Sequence, residues 1–180
     1  MLAPEGFEVR DFGPIGGQII IPRGWFVSQG TRGTQYLFTV SKEDLAVTGH
    51  YETGWRIQWI AEVSKTAKIT ATQAVQYNID RKKASEEVVR ECDLEKSGEF
   101  NRRCLETLSP VPSKPGMKYH IIYSFFWSDE KDMMVAGTFG APMEEWDSAA
   151  KIYRVIKDFK LLDWDRVEAK KKAAGVGSVP

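Results

Sequence analysis

The stretch KYHIIYSFFWSDEKDMMVAGTFGAP, residues 118–142, decides the fold class of this chain. It contains two apolar runs, Tyr119–Trp127 and Asp132–Phe139, on either side of the polar turn Ser128–Lys131. In the first run every second residue is large and apolar, a period of two that is typical of a strand with a heavily buried face. The stretch therefore predicts a β-hairpin at the centre of a sheet.

A second strong strand is predicted over Glu52–Val63. Its apolar residues, among them Trp55 and Trp59, share one parity, and Arg56 and Gln58 fall on the other. We expect this strand to lie beside the central hairpin.

The remaining elements have weaker signals. Strands are predicted at Phe7–Phe12, Gln18–Ile21 and Gln35–Val40, a hairpin at Cys92–Lys96 with Glu99–Leu108, and a short extended piece at Phe159–Trp164. Gln29–Thr34 is predicted as a loop, because glycines interrupt it. Helices are predicted from Thr70 to near Arg90, including Val88 and Val89, and over Met143–Ile156. Strands that follow one another without intervening helices favour an α+β fold with an antiparallel sheet of about six or seven strands.

Length and composition favour one domain and exclude some function classes. The chain has 180 residues, of which 42% are hydrophobic. We expect a single domain over residues 1–164 and a basic, flexible tail over 165–180. Because 25 basic and 25 acidic side chains cancel, no global field attracts nucleic acid. Apolar runs are shorter than the roughly 20 residues of a membrane span, and the sequence has no motif that predicts a cofactor.

The order of the elements resembles that of the PsbP-like superfamily. The resemblance is carried by the turn Pro22–Trp25 and by a final helix that opens with Glu145-Trp146-Asp147, and it covers about Gly17 to Leu162. It implies a central antiparallel sheet between helices, and binding or assembly roles without enzymatic activity. Bacterial members are often exported or lipid-anchored. The resemblance therefore implies a cell envelope or periplasmic protein whose signal peptide has been removed, with a cytoplasmic location as the alternative.

One candidate ligand site is the polar parity of the two strongest strands, formed by Arg56, Gln58, His120 and Ser124. Such groups on a sheet face are expected to floor a ligand groove, or else to pair with one another under a helix. For His120 we favour a hydrogen-bonded sheet histidine over a catalytic base.

Other candidate sites are smaller. His50 and Glu52 lie two residues apart and are weak candidates for a divalent metal site, which needs a third ligand. Trp25 and Trp164 are candidates for a partner surface.

The two cysteines, Cys92 and Cys104, leave two alternatives open. A three-residue loop Ser97–Glu99 places them directly opposite each other, where a bridge can form, whereas a two-residue loop Ser97-Gly98 places them on opposite faces. A bridge would indicate an oxidising compartment.

The leading interpretation is a non-enzymatic binding or assembly protein with a protein partner. The first alternative is a chaperone-like module that shelters apolar partner segments. The second is a small hydrolase or isomerase that works at the Arg56/His120 face.

Overall fold

A computed structural model describes residues 2–12, 16–111, 114–157 and 160–162. The elements, in chain order, are β1 (Phe7–Phe12), β2 (Gly16–Pro22), β3 (Phe26–Arg32), β4 (Gln35–Ser41), α1 (Leu45–Thr48), β5 (Gly54–Ala61), α2 (Val63–Ala67), α3 (Ala71–Ser85), β6 (Glu87–Glu91), β7 (Glu95–Ser97), β8 (Phe100–Pro110), β9 (Lys118–Ser128), β10 (Met133–Pro142), α4 (Trp146–Ile156) and β11 (Lys160–Leu162). The predicted α+β class is confirmed. None of the described helices is long and apolar enough to cross a membrane.

The described residues divide into two compact units, one within Phe26–Ala149 and a second drawn from Met1–Trp25 and Ala150–Pro180. The first unit contains an antiparallel sheet with the order β3-β4-β5-β10-β9-β8-β6, in which β7 also pairs with β8. These are eight strands within the described residues, against the six or seven expected. The predicted central hairpin is β9–β10, and its neighbour is β5, as predicted.

The second unit contains a three-stranded antiparallel sheet with the order β1-β2-β11. Its central strand β2 is the apolar one, and Ile19 and Ile21 are fully buried. The predicted strands at residues 7–12 and 18–21 are found there, and β11 lies within the extended piece predicted at 159–164.

One face of the large sheet packs against α3. Ala71, Ala74, Val75 and Ile79 of α3 are buried, and they form one core cluster with Leu105, Tyr123, Phe125, Trp127 and Met134 of the sheet. The helix begins at the predicted capping box, because the Thr70 side chain accepts from Gln73 N–H while the Gln73 side chain accepts from Thr70 N–H.

The opposite face of the sheet is apolar as well. Trp55, Ile57 and Phe139 are at most 1% exposed there, and Trp55 lies directly opposite Phe139 across β5 and β10. Burial of both faces is unusual for an antiparallel sheet, whose second face is commonly solvated. The apolar stripe of a strand therefore does not indicate which face of this sheet it lies on.

The turn between β9 and β10 fixes the starts of two helices. Asp129 accepts from Thr72 N–H and from Thr72 Oγ1, both at 2.8 Å. Asp132 accepts from Ser64 N–H at 2.8 Å and from Ser64 Oγ at 2.7 Å. Carboxylates at helix N-termini satisfy backbone donors that have no partner within the helix. These acidic turn residues are therefore structural.

Two predicted boundaries were wrong. The residues predicted as a loop at 29–34 largely belong to β3, which shows no alternation because all seven of its residues are exposed. The helix predicted to reach Arg90 ends at Ser85, and the β-branched Val88 and Val89 belong to β6. A helix at Val63–Ala67 was also missed, because its five residues are too few to show a period.

Candidate functional site

The four residues of the predicted ligand groove do not share a face. Arg56 aligns with Thr138, which aligns with Tyr123 on β9, so Arg56 and Gln58 lie on the α3 side of the sheet. His120 and Ser124 have the other parity on β9 and point to the opposite side. The expectation of one groove with all four was wrong, because parity within a strand does not set the register between strands.

On the α3 side, the polar groups of β5 have local partners. Gln58 Nε2 donates to Gln35 Oε1 at 2.9 Å. The Arg56 guanidinium lies 5.8 Å from the centre of the Tyr51 ring, within range of a cation–π contact. These contacts fit a paired surface more closely than a ligand floor.

His120 is a buried residue at the centre of a polar and aromatic cluster. Its side chain is 10% exposed, and its Nε2–H donates to Glu106 Oε1 at 2.7 Å. Its ring stacks on Trp146 with centroids 3.7 Å apart and an interplanar angle of 9°. Glu106 also accepts from Arg90 Nε at 3.1 Å. This is the hydrogen-bonded sheet histidine that the sequence favoured.

Sequence reasoning did not single out Glu106 or Arg90. Both belong to strands at the β6 end of the sheet, where Arg90 is paired with Glu106 across the ladder. Glu106 in turn pairs with Ile122, two residues along β9 from His120 and on the same face. A pattern of charges within one strand gives no signal for such a cluster, because it depends on the register of three strands.

The two candidate metal ligands each have another partner. The Nδ1 atom of His50 lies 2.9 Å from Thr48 O. Lys114 Nζ lies 3.0 Å from Glu52 Oε1, and this hydrogen bond raises the pKa of Lys114. Across the described ranges, no group of three or more His, Cys, Asp or Glu side chains is placed to hold a metal ion.

The two candidate tryptophans differ in what the structure says of them. Trp25 is half-buried, and its backbone N–H donates to Pro22 O at 3.3 Å. Trp164 and the basic tail at 165–180 lie outside the described residues, so their predicted roles stay predictions.

Cys92 and Cys104 form a disulfide, with Cα atoms 5.0 Å apart. The hairpin turn between β7 and β8 matches neither of the two predicted loops. Ser97 pairs with Phe100, which leaves Gly98-Glu99 as a two-residue loop. Residues 92–94 then leave the ladder between β6 and β7. Cys92 N–H donates to Cys104 O at 3.0 Å. The break in the ladder brings the two cysteines opposite each other.

The surface that sequence reasoning missed is the outer edge of β3. This strand pairs with β4 over seven consecutive residues, Phe26 with Ser41 through Arg32 with Gln35, and with no other strand of the described chain. All its residues are exposed, including Phe26 at 44% and Val27 at 39%. A Cβ atom built at Gly30 would meet nothing within 4 Å. An edge strand of this kind presents unpaired backbone N–H and C=O groups.

Comparison with known proteins shows the fold and nothing more specific. No sequence family and no curated protein matches the chain. The yeast Ran-binding protein Mog1p from Saccharomyces cerevisiae is 13% identical, with a TM-score of 0.48 over 89% of this chain and 97% of its own. Cyanobacterial PsbP (CyanoP) from Synechocystis sp. PCC 6803 is 13% identical, with a TM-score of 0.53 over 87% of this chain and 92% of its own. The likeness to CyanoP shows that the chain has the PsbP-like fold that its element order resembles.

Proposed function

We propose that this protein is a non-enzymatic binding protein that accepts an extended segment of a protein partner along the outer edge of β3. The observation that carries the proposal is the seven-residue edge of β3, which is exposed and regular. In strand addition the main chain supplies affinity, and alternate side chains supply specificity. The strand lacks most of the devices that protect an edge, since it has no proline, no lysine and no bulge, and its one charged residue is Arg32 at the end.

The chemistry of β3 suits partner recognition. It presents the apolar Phe26 and Val27 at one end and a single charge, Arg32, at the other. A partner strand can make apolar contacts with Phe26 and Val27, and an ion pair or hydrogen bond with Arg32. The same edge would serve the chaperone-like alternative, in which the partner segment is sheltered during assembly.

The positions of Arg56 and His120 do not support the hydrolase or isomerase alternative. It required Arg56 and His120 on one face, and they lie on opposite faces of the sheet. His120 is instead held by Glu106 and covered by Trp146.

The Cys92–Cys104 bridge supports an oxidising compartment such as the periplasm or cell envelope. Thiol titration of denatured, unreduced protein from its native compartment tests this part of the proposal. We expect no free thiol, and two free thiols per chain would favour the cytoplasmic alternative.

The binding function is tested with a display library of extended peptides about ten residues long. Peptides are selected on the wild-type protein. Their affinity is then measured for the wild type, for Val27→Lys in β3, and for the control variant Val89→Lys in β6, where an exposed valine lies at the other edge. We expect Val27→Lys alone to abolish binding, and bound peptide to slow amide exchange in β3. Selected peptides that bind both variants equally, or that leave β3 exchange unchanged, would contradict the proposal.

A further inference from the structure

We infer that β3 also pairs with β3 of a second copy of the chain, as an antiparallel strand dimer around a two-fold axis at Gln29. The inference rests on the proposed function, because it uses the same open edge. This register, centred on Gln29, places all seven residues of β3 opposite residues of the second copy.

With Gln29 opposite Gln29 of the second copy, the outer pairs of β3 are complementary and no pair sets like charges against each other. Phe26 faces Arg32, Val27 faces Thr31, and Ser28 faces Gly30. Phe26 and Arg32 have the same parity, so each guanidinium lies beside the phenyl ring of the other copy, and the contact occurs twice by symmetry. Val27 and Thr31 form a β-branched pair of the kind that stabilises antiparallel strands.

The side-chain amide of Gln29 is already oriented by a hydrogen bond within its own chain, which suits it to the two-fold axis. The Tyr36 hydroxyl donates to Gln29 Oε1 at 2.6 Å, which fixes the orientation of the amide. Its Nε2 group, two donors with no partner among the described residues, is left to donate to the second copy. Each Oε1 has a second lone pair to accept in return.

Charge does not oppose this pairing. Arg32 is the only charged residue of β3, and the chain has a formal net charge of +0. In the proposed register the two Arg32 residues are separated by about six residue steps, roughly 20 Å. This exceeds the screening length of about 10 Å at 0.1 M salt.

A seven-residue strand pair is a small interface, so we expect a weak dimer. Contacts below about 1,200 Å² are typical of transient complexes. We expect a dissociation constant between about 10 μM and 1 mM. Sedimentation velocity should therefore detect the dimer only when the protein concentration is in this range or above it. An exchange of partners at β3 is then possible, because a peptide or protein segment of higher affinity displaces the second copy.

The register is tested by a pair of opposite charges at one exposed position. Phe26→Glu and Phe26→Lys remove the same ring, but the first places a carboxylate and the second an ammonium opposite Arg32 of the other copy. We expect the Lys variant to dimerise at least about tenfold more weakly than the Glu variant, and the difference to shrink at high salt. Equal dimerisation of the two variants would overturn the register.

Cross-linking gives an independent readout. Both native cysteines are in the Cys92–Cys104 bridge, so a new cysteine reports only on its own position. Gln29→Cys should yield a covalent dimer on mild oxidation, and Phe26→Cys, whose two copies lie roughly 20 Å apart in this register, should not. A wild-type chain that is monomeric at 1 mM, with no cross-link at Gln29→Cys, overturns the self-pairing. Peptide binding that depends on Val27 would still stand in that case, so the two proposals fail separately.

Discussion

At one edge of the large sheet β3 runs straight along β4, whereas at the other edge β6 and β7 share β8 and leave residues 92–94 outside the ladder. The register of β6 is also irregular between Val88 and Arg90. Bulges and short strands are the means by which proteins prevent unwanted pairing at an edge. The sheet therefore has one protected edge and one open edge.

Charge separates the two edges in the same way. On β6, Glu87 pairs with Lys118 at 2.7 Å, Arg90 with Glu106, and Glu91 with both Lys83 and Arg103. On β3, none of the described residues forms an ion pair. Charged side chains fixed across the β6 edge stabilise the native sheet but disfavour an added strand. We interpret β6 as the edge that stabilises the fold and β3 as the edge that is open to partners.

The disulfide is the strongest expected difference between the edges. Replacing Cys92 and Cys104 together by Ser should lower the free energy of unfolding by about 3 kcal/mol, because the bridge closes a short loop of the unfolded chain. Urea unfolding under oxidising conditions measures this, with reduced wild-type protein as the control. Amide exchange in β3 should not change. A loss below about 0.5 kcal/mol would show that the bridge does not stabilise the β6 edge.

The next effect concerns the histidine behind the protected edge. His120→Ala should cost about 2 kcal/mol, because it leaves the largely buried Glu106 carboxylate without one of its two donors and removes the ring under Trp146. Binding of selected peptides at β3 should stay unchanged. Thermal unfolding and peptide titration of the same sample measure both quantities. A loss of binding without a loss of stability would revive a functional role for His120.

A smaller effect is expected with acid. Hydrogen bonding from Lys83, together with Arg103, lowers the pKa of Glu91 below its ordinary value of 4.5. A lowered pKa in the folded state stabilises the protein above the unfolded pKa, and the contribution is lost as pH falls through the folded pKa. Amide exchange in β6 should therefore accelerate below about pH 4.5 more in wild type than in Glu91→Gln. Equal acceleration in the two proteins would mean that Glu91 does not hold this edge.

The smallest effect on stability is expected at β3. Val27→Lys should change the free energy of unfolding by less than about 0.5 kcal/mol, because the side chain is 39% exposed on an edge strand. Peptide binding and self-association should both be lost. Urea unfolding checks that the fold is intact. A large destabilisation would show that β3 is a structural edge and that the contrast with β6 is wrong.

The candidate site was less predictable than the fold. Period-two runs at 119–127 and 52–63 predicted the central strands, and Thr70 with Gln73 predicted the start of α3. The β3 edge gave no signal, because an exposed strand without alternation looks like a loop. The His120, Glu106 and Arg90 cluster gave none either, because its members come from three strands.

The sequence by itself determined the central strands β5, β9 and β10, the start of α3 at Thr70, and the α+β class, because these depend on local periodicity and capping. The tertiary structure alone decided that Arg56 and His120 lie on opposite faces, that Cys92 meets Cys104, and that β3 is left at an edge. Register and strand order are set by packing between segments far apart in the chain. A residue's own neighbours in the sequence do not contain that information.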